Sequence, residues 1–375
     1  MDLHASHTSL VRPRCAPEAG GIPLQRRRGR GSLSNRSGRF EPATREEADD
    51  GWESLGDLEP FVTSVQEERA RSIISRNASP DINFDRSINP YRGCEHGCIY
   101  CYARPTHAFL GLSAGLDFES KLFAKVNAPA LLERELADPK YKARTIALGT
   151  NTDPYQPIER QYRIMRRLLQ VLERANHPVG IVTKSALILR DKDILSAMAE
   201  RGLVKVALSV TTLDRKLARS LEPRAATPEK RLAALQELSE AGIPTAVMVA
   251  PIIPALTDPE IETILTRAAA AGVGEAGYVM LRLPLEISDL FREWLAEHAP
   301  DRAKRVMSLI RSMRGGRDYD ANWSRRMRGQ GPYAWQTGRR FELAAKRLKL
   351  NTRSYHLRTD LFEPPVLPGQ QMLLF

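Results

Sequence analysis

Asn89-Pro-Tyr-Arg-Gly-Cys94-Glu-His-Gly-Cys98-Ile-Tyr-Cys101-Tyr102 is the stretch of this 375-residue chain that decides its fold. Of the 4 cysteines, Cys94, Cys98 and Cys101 fall together with the spacing C-x3-C-x2-C. Three thiolates on one short loop suit three corners of a cubane iron–sulfur cluster. A ferredoxin-type site needs a fourth cysteine, and none follows between residues 102 and 375. The fourth iron of such a cluster is then open to a non-protein ligand, an arrangement for catalysis and not for simple electron transfer. The alternative is zinc, with His96 or His107 as fourth ligand. Zinc hairpins, however, pair two C-x2-C knuckles, and no second knuckle exists here. Four cysteines in 42.0 kDa are too few for a disulfide framework. Gly93 and Gly97 are expected to let the backbone approach the sulfurs, and His96 to shield the cluster.

Outward from this loop the chain alternates apolar strand segments with amphipathic helical ones. A first strand is expected just before Cys94, then Thr145–Leu148, Val179–Thr183, Val204–Val210, Thr245–Ala250 and Gly277–Leu281. Helices are expected over Ile158–Ala175, Asp191–Arg201, Pro228–Ala241, Pro259–Ala271 and Leu285–Met313, with a basic helix over Arg339–Leu350. Strands alternating with helices argue for an α/β fold around a parallel sheet. About six β–α units fall short of a closed eight-unit barrel. The expected fold is a partial (β/α)6 TIM-like barrel, with a basic C-terminal extension and a disordered N-terminal tail. In a parallel barrel, ligands sit at the C-terminal strand ends. Those ends read Gly149-Thr150-Asn151-Thr152-Asp153, Thr183-Lys184-Ser185 and Ser209-Val-Thr211-Thr212.

The cysteine spacing, with Tyr100 just before the last cysteine, resembles the radical S-adenosylmethionine (SAM) superfamily. The segments GTNTDPYQPIE (149–159), TKS (183–185) and LEPRAATPEKR (221–231) are similar to its spore photoproduct lyase branch, over most of residues 80 to 285. The resemblance implies two cofactors: a [4Fe-4S] cluster on Cys94, Cys98 and Cys101, and SAM bound to its open iron. One electron then cleaves SAM to methionine and a 5′-deoxyadenosyl radical. It also implies that Thr150, Asn151 and Thr152 lie near the methionyl group of SAM, and that Lys184, Ser185 and Ser209 reach its carboxylate or ribose. Glu222, Arg224 and Arg231 are weaker candidates. Helix capping is the competing explanation for Thr and Ser at strand ends. One departure is plain: the lyase carries a hydrogen-donor cysteine after the second strand, where this chain reads GTNTD. Tyr100 or Tyr155, or Tyr102, is then the candidate donor, although aromatic residues in a barrel usually just pack.

The net charge of +11 is concentrated late: residues 301–360 hold 16 Lys and Arg against 5 Asp and Glu. A basic segment carrying Trp323, Tyr333 and Trp335 suits a polyanion. The domains expected are a disordered basic tail over 1–60, the radical SAM barrel over 67–313, the basic extension over 314–363 and a flexible tail over 364–375. The chain ends Gln371-Met-Leu-Leu-Phe375, which resembles the bacterial peptide that docks proteins onto the DNA sliding clamp, two apolar anchors filling a groove. The partners expected are a nucleic acid, the sliding clamp and a reductase such as flavodoxin or ferredoxin. No apolar run reaches the roughly 18 residues that span a bilayer and no secretory signal is evident, so the expected location is cytoplasmic. Three readings stand at this point: a radical SAM enzyme acting on nucleic acid or a nucleotide-derived lesion, one modifying a protein or small molecule, and a non-enzymatic Fe–S protein that binds DNA or senses redox state.

Overall fold

The computed structural model describes residues 29–41 and 62–367. Ten strands follow in chain order: β1 Ser64–Glu68, β2 Ile74–Arg76, β3 Arg86–Ile88, β4 Tyr91–Arg92, β5 Lys121–Lys125, β6 Ile146–Leu148, β7 Val179–Thr183, β8 Val204–Ser209, β9 Thr245–Ile252 and β10 Glu275–Met280. Seven of them form the main sheet, in the order β10-β9-β8-β7-β6-β3-β2. The six from β3 to β10 are parallel, and β2 closes one edge antiparallel to β3. Edges β2 and β10 do not pair, so the barrel is partial and open, as six units require. Strands β7 and β8 are rich in valine, and β8 is buried along almost its whole length, as a strand covered by helices must be.

The helices stop and start where side chains redirect the backbone. Thr227 caps the helix Pro228–Glu240, its hydroxyl accepting from Lys230 N–H, with Pro228 in the first turn. The helix expected over Ile158–Ala175 is instead two, Glu159–Tyr162 and Ile164–Arg174, broken at Arg163 with φ 48°. There Met165 gives its N–H to the buried Glu159 carboxylate at 3.1 Å. Leu285–Met313 likewise divides into Ile287–His298 and Pro300–Ser312, because Pro300 cannot donate the N–H that continuity needs. The basic helix begins at Gly331, not Arg339, and runs to Arg347. Its buried residues Ala334, Thr337, Phe341, Ala344 and Ala345 recur at helical spacing, and the Phe341 ring packs at a tilt 4.7 Å from that of Tyr278 of β10.

Two features run against the sequence reading. There is a second sheet, β1-β5-β4, whose strand β4 runs directly into the cysteine loop. Residues 29–41, assigned above to a disordered tail, are built into the fold: Ser32, Leu33 and Ser34 are buried, and Gly31 and Ser32 N–H bind the Glu119 carboxylate at 2.9 and 2.8 Å. Further along, Ser34 and Arg36 bind Glu293, Asn35 binds Asp117 and Arg39 binds Glu286, so the order of this segment comes from distant partners that no local pattern announces. The expectations for residues 1–28, 42–61 and 368–375, including Cys15 and Gln371–Phe375, lie outside the described residues. Among the described residues no helix is long and apolar enough to cross a membrane.

Candidate active site: a cysteine loop braced from two sides

The cysteine loop leaves β4 at the C-terminal end of the main sheet and is held by residues far apart in sequence. On one side stands Arg104, wholly buried. Its guanidinium donates to the carbonyls of Cys98 (2.9 Å), Gly97 (3.1 Å), Ala114 (3.0 Å) and Gly115 (2.9 Å), and to Glu119 Oε1 (2.5 Å). Glu119 also ties down Gly31, so loop, guanidinium, carboxylate and N-terminal strap form one unit. On the other side residues 221–224 follow the loop almost residue by residue. Leu221 O accepts from Ile99 N at 3.0 Å, Glu222 accepts from the Tyr100 hydroxyl, Arg224 N donates to His96 O at 3.3 Å, and its guanidinium pairs with Glu95 at 3.1 Å.

Glu222 is buried and shared. Thr211 Oγ1 donates to it at 2.6 Å, Arg231 pairs with it, and Lys184 Nζ stands 3.5 Å away. Burial opposes its ionisation, but the charges of Arg231 and Lys184 outweigh that and hold the carboxyl well below its ordinary range. Asp153 follows the same logic. Burial pushes it up, and His96 at 3.4 Å, the Thr183 hydroxyl at 2.7 Å and Lys184 N–H at 2.7 Å bring it down.

The three cysteines are free of disulfides. Burial pushes all three thiols up, so thiolates here require a cation. His96 Nδ1 is turned to Asp153, and His107 Nε2 to the Lys121 carbonyl at 2.9 Å. Among the described residues no three His, Cys, Asp or Glu side chains converge on a single ion. A cubane needs no such convergence, because each thiolate binds a different iron. The donor set, three cysteines with no fourth among the described residues, therefore fits three corners of an iron–sulfur cluster.

Comparison with known proteins agrees with the site. The profile of the Radical SAM superfamily matches residues 88–268, which contain all three cysteines. The chain belongs to the radical SAM superfamily. An uncharacterized protein of Mycobacterium tuberculosis (strain H37Rv) is 38% identical over 230 residues, 61% of this chain and 68% of that one. One of Methanocaldococcus jannaschii is 32% identical over 173 residues, 46% of this chain and 62% of that one. In fold the chain is similar to spore photoproduct lyase complexed with dinucleoside spore photoproduct, with a TM-score of 0.56 at 14% identity over 76% of this chain and 79% of that one. It is equally similar to a mutant of that lyase with bound AdoMet and dinucleoside spore photoproduct (TM-score 0.55, 15% identity, 76% and 78%). Membership makes this chain a radical SAM enzyme, a class that uses SAM and an iron–sulfur cluster.

Within this radical SAM site the expected residues divide. Lys184 faces the interior: Nζ donates to Ala250 O at 3.2 Å and lies 5.7 Å from the Tyr100 ring centre. Thr150 and Asn151 are half-buried beside the loop, the Thr150 carbonyl accepting from the Tyr102 hydroxyl and Asn151 N–H donating to Asn89. Thr152 is spent on structure, its hydroxyl donating to Tyr91 O at 3.0 Å. Ser185 caps the turn Ala186–Asp191, accepting from Leu187 N–H, which is the capping role. Ser209 is buried, and its carbonyl accepts from Arg231 at 2.9 Å.

The two tyrosines are placed differently. Tyr155 is buried in the main core with its hydroxyl on Asp191 at 3.1 Å, so it packs and does not serve the cysteine loop. Tyr100 sits beside Cys98, but its phenol is bound to the Glu222 carboxylate, and burial with that neighbouring charge pushes its pKa up. Held by that carboxylate, the phenol braces the loop. The glycines also act differently from expectation. Gly97 has φ 65°, and a Cβ there would stand 2.8 Å from Glu119 Oε2. It is the carboxylate of the brace, not a sulfur, that demands glycine. Arg104 and Glu119 went unrecognised in the sequence. Their one signal is a lone Arg-Pro pair just behind the last cysteine, too common to interpret alone.

Proposed function

We propose that this radical SAM enzyme carries a [4Fe-4S] cluster on Cys94, Cys98 and Cys101 and acts on a nucleic acid or a nucleotide-derived lesion. The observation that carries the chemistry is the braced loop of three free thiols, Cys94 and Cys98 buried and Cys101 half-buried, at the C-terminal end of a partial barrel. When bound, the cluster supplies the electron, received from a reductase such as flavodoxin or ferredoxin, that cleaves SAM to methionine and a 5′-deoxyadenosyl radical. The protein's own residues position and exclude. Lys184 directs N–H groups at Ala250 O and Glu222, and an ammonium has three, leaving one for the SAM carboxylate. Thr150 and Asn151 offer polar atoms on the same rim. Ile99, Leu221, Ile253 and Leu281 pack around Cys98 and keep water from the radical.

The substrate class is supported by the likeness in fold to a lyase that holds a dinucleoside lesion and by the basic extension carrying the exposed Trp323 and Trp335. The sliding clamp is proposed as a partner on the sequence Gln371–Phe375 alone. Anaerobic reconstitution with SAM and dithionite is expected to release 5′-deoxyadenosine. An intact cluster that produces none would refute the radical chemistry. DNA or RNA affinity should fall steeply with salt, and a slope near zero on a log–log plot would exclude a nucleic-acid substrate.

A further inference from the structure

The open side of the barrel is spanned by a contact between its two ends. The connection from β2 to β3 carries Asp81, and the C-terminal extension reaches across from beyond β10. Ser324 N–H donates to Asp81 Oδ1 at 2.5 Å, and Arg326 Nε to Oδ2 at 2.5 Å. A further Arg326 nitrogen donates to Ser79 Oγ at 2.5 Å. The Asp81 side chain keeps only 6% of its exposure. A second guanidinium, Arg282, approaches just after β10. It lies 4.8 Å from the ring centre of Tyr102, the residue after Cys101. Its Nε is buried with no partner among the described residues, and Nη1 meets only the Met327 sulfur at 3.5 Å, a weak acceptor. The Ser324 N–H and then the Arg326 bond hold the Asp81 carboxyl below its ordinary range, and the charge of Arg282 reaches both Asp81 and Tyr102.

One arginine and a backbone N–H thus hold one carboxylate at the rim of the active site, the Ser79 hydroxyl steadies that arginine, and the charge of a second arginine, Arg282, reaches the carboxylate. Guanidinium forks recognise carboxylate and phosphate with the same geometry. A single internal carboxylate leaves Arg282 unspent. Trp323, 56% exposed, is adjacent to Ser324 in the chain and offers a face on which a base can stack.

We infer that Arg282, Arg326 and the Ser324 N–H form a phosphodiester-binding site beside the cysteine loop, and that Asp81 fills it until a substrate phosphate displaces the carboxylate. The inference rests on the nucleic-acid reading above and specifies how that substrate is gripped. Asp81 then acts as a built-in competitor that holds the barrel shut without substrate.

The test is fluorescence anisotropy of a 5′-labelled 12-nucleotide single strand with reconstituted protein, over a range of salt. Asp81→Asn removes the competing charge and is expected to tighten binding about tenfold. Arg282→Met, which touches no bond of the latch, is expected to weaken it about tenfold and to lower the salt slope by about 1. dAMP should compete better than equimolar inorganic phosphate, and equal competition would overturn the assignment to a nucleic-acid strand. Steep salt dependence that is identical in wild type and both variants overturns this site while leaving the nucleic-acid reading intact. Flat salt dependence in all three overturns that reading, and the site with it.

Discussion

Arg104→Met tests whether the cysteine loop is held by its brace or by the metal alone. The substitution keeps the length of the side chain and its contact with Phe118, whose ring lies 5.3 Å from the guanidinium carbon, but deletes every donor. The carbonyls of Gly97, Ala114 and Gly115 lose their donor, Cys98 O is left with only the Cys101 N–H, and Glu119 loses its arginine in a site with no exposure. Breaking one side of a buried ion pair costs about 3–5 kcal/mol. The Gly31 and Ser32 N–H groups that remain on Glu119 favour the lower end, and the stranded carbonyls push it back up. A loss of about 4 kcal/mol is a large part of the 5–15 kcal/mol typical of a folded domain, and corresponds to a fall in Tm on the order of 10 °C. The variant should also lose most of its iron and sulfide after anaerobic reconstitution, because Gly97 and Cys98, whose carbonyls lose the guanidinium, belong to the loop itself. The double variant Arg104→Met/Glu119→Gln removes the orphaned charge and should recover about 2 kcal/mol, a coupling typical of residues in contact. Urea unfolding together with iron and sulfide content reads both quantities. A single variant that loses under about 1 kcal/mol and loads a full complement of iron would refute the bracing argument.

Three further outcomes follow from named contacts. A Cβ on Gly31 would stand 1.9 Å from Gly97 O. Gly31→Val is therefore expected to lift the N-terminal strap, costing about 1–3 kcal/mol and speeding tryptic cleavage after Arg30; unchanged cleavage would count against it. His177 is buried with Nε2 2.8 Å from the Tyr141 hydroxyl and Nδ1 3.0 Å from Pro178 O, and burial lowers its pKa from 6.5 to about 4. The unfolded chain takes up that proton near pH 6.5 and the folded one only near 4. Stability is thus complete above pH 6.5 and falls as pH drops toward 4, by about 1.4 kcal/mol per unit. His177→Gln should flatten this part of the urea-midpoint profile between pH 7 and 5, and an unchanged profile would contradict the assignment. Deleting residues 371–375 is expected to abolish binding to purified sliding clamp, and retained binding would remove the clamp from the list of partners.

What could be read from the sequence was what depends on local pattern. The apolar run Val179–Thr183 is a strand to the residue, and the Thr227-Pro228 pair starts its helix where capping chemistry places it. The cysteine spacing implies the chemistry without any fold. What could not be read depends on distant partners. Strand β1, Ser-Val-Gln-Glu-Glu, has no apolar alternation and exists because β5 pairs with it. Residues 31 and 32 look like linker and are ordered by Glu119, more than eighty positions away. Ser185 and Thr152 carried the right residue type for a ligand, yet their hydroxyls were already committed to Leu187 N–H and Tyr91 O. Polar residues at strand ends answer to backbone groups first, and only the structure shows which remain free.

The two buried ion pairs on either side of the loop call for a reason beyond stability, because apolar replacements of similar volume often serve as well or better. An apolar brace, however, can slide. The Arg104 fork reaches four carbonyls on two segments and one carboxylate at fixed angles, and Arg231 fixes Glu222, which in turn fixes Tyr100 and Thr211. Directional bonds of this kind define one loop position before any cofactor arrives. Three thiolates that must each meet a different iron need such a position, since a displacement of about 1 Å is enough to spoil a preorganised site. Apolar replacement of both Glu222 and Arg231, as Glu222→Leu/Arg231→Met, separates the two roles. Global stability should change by less than about 2 kcal/mol, since both charges leave together, while cluster loading and 5′-deoxyadenosine release should fall sharply. Loss of stability in proportion to loss of iron would instead mean that the pair serves the fold and not the loop.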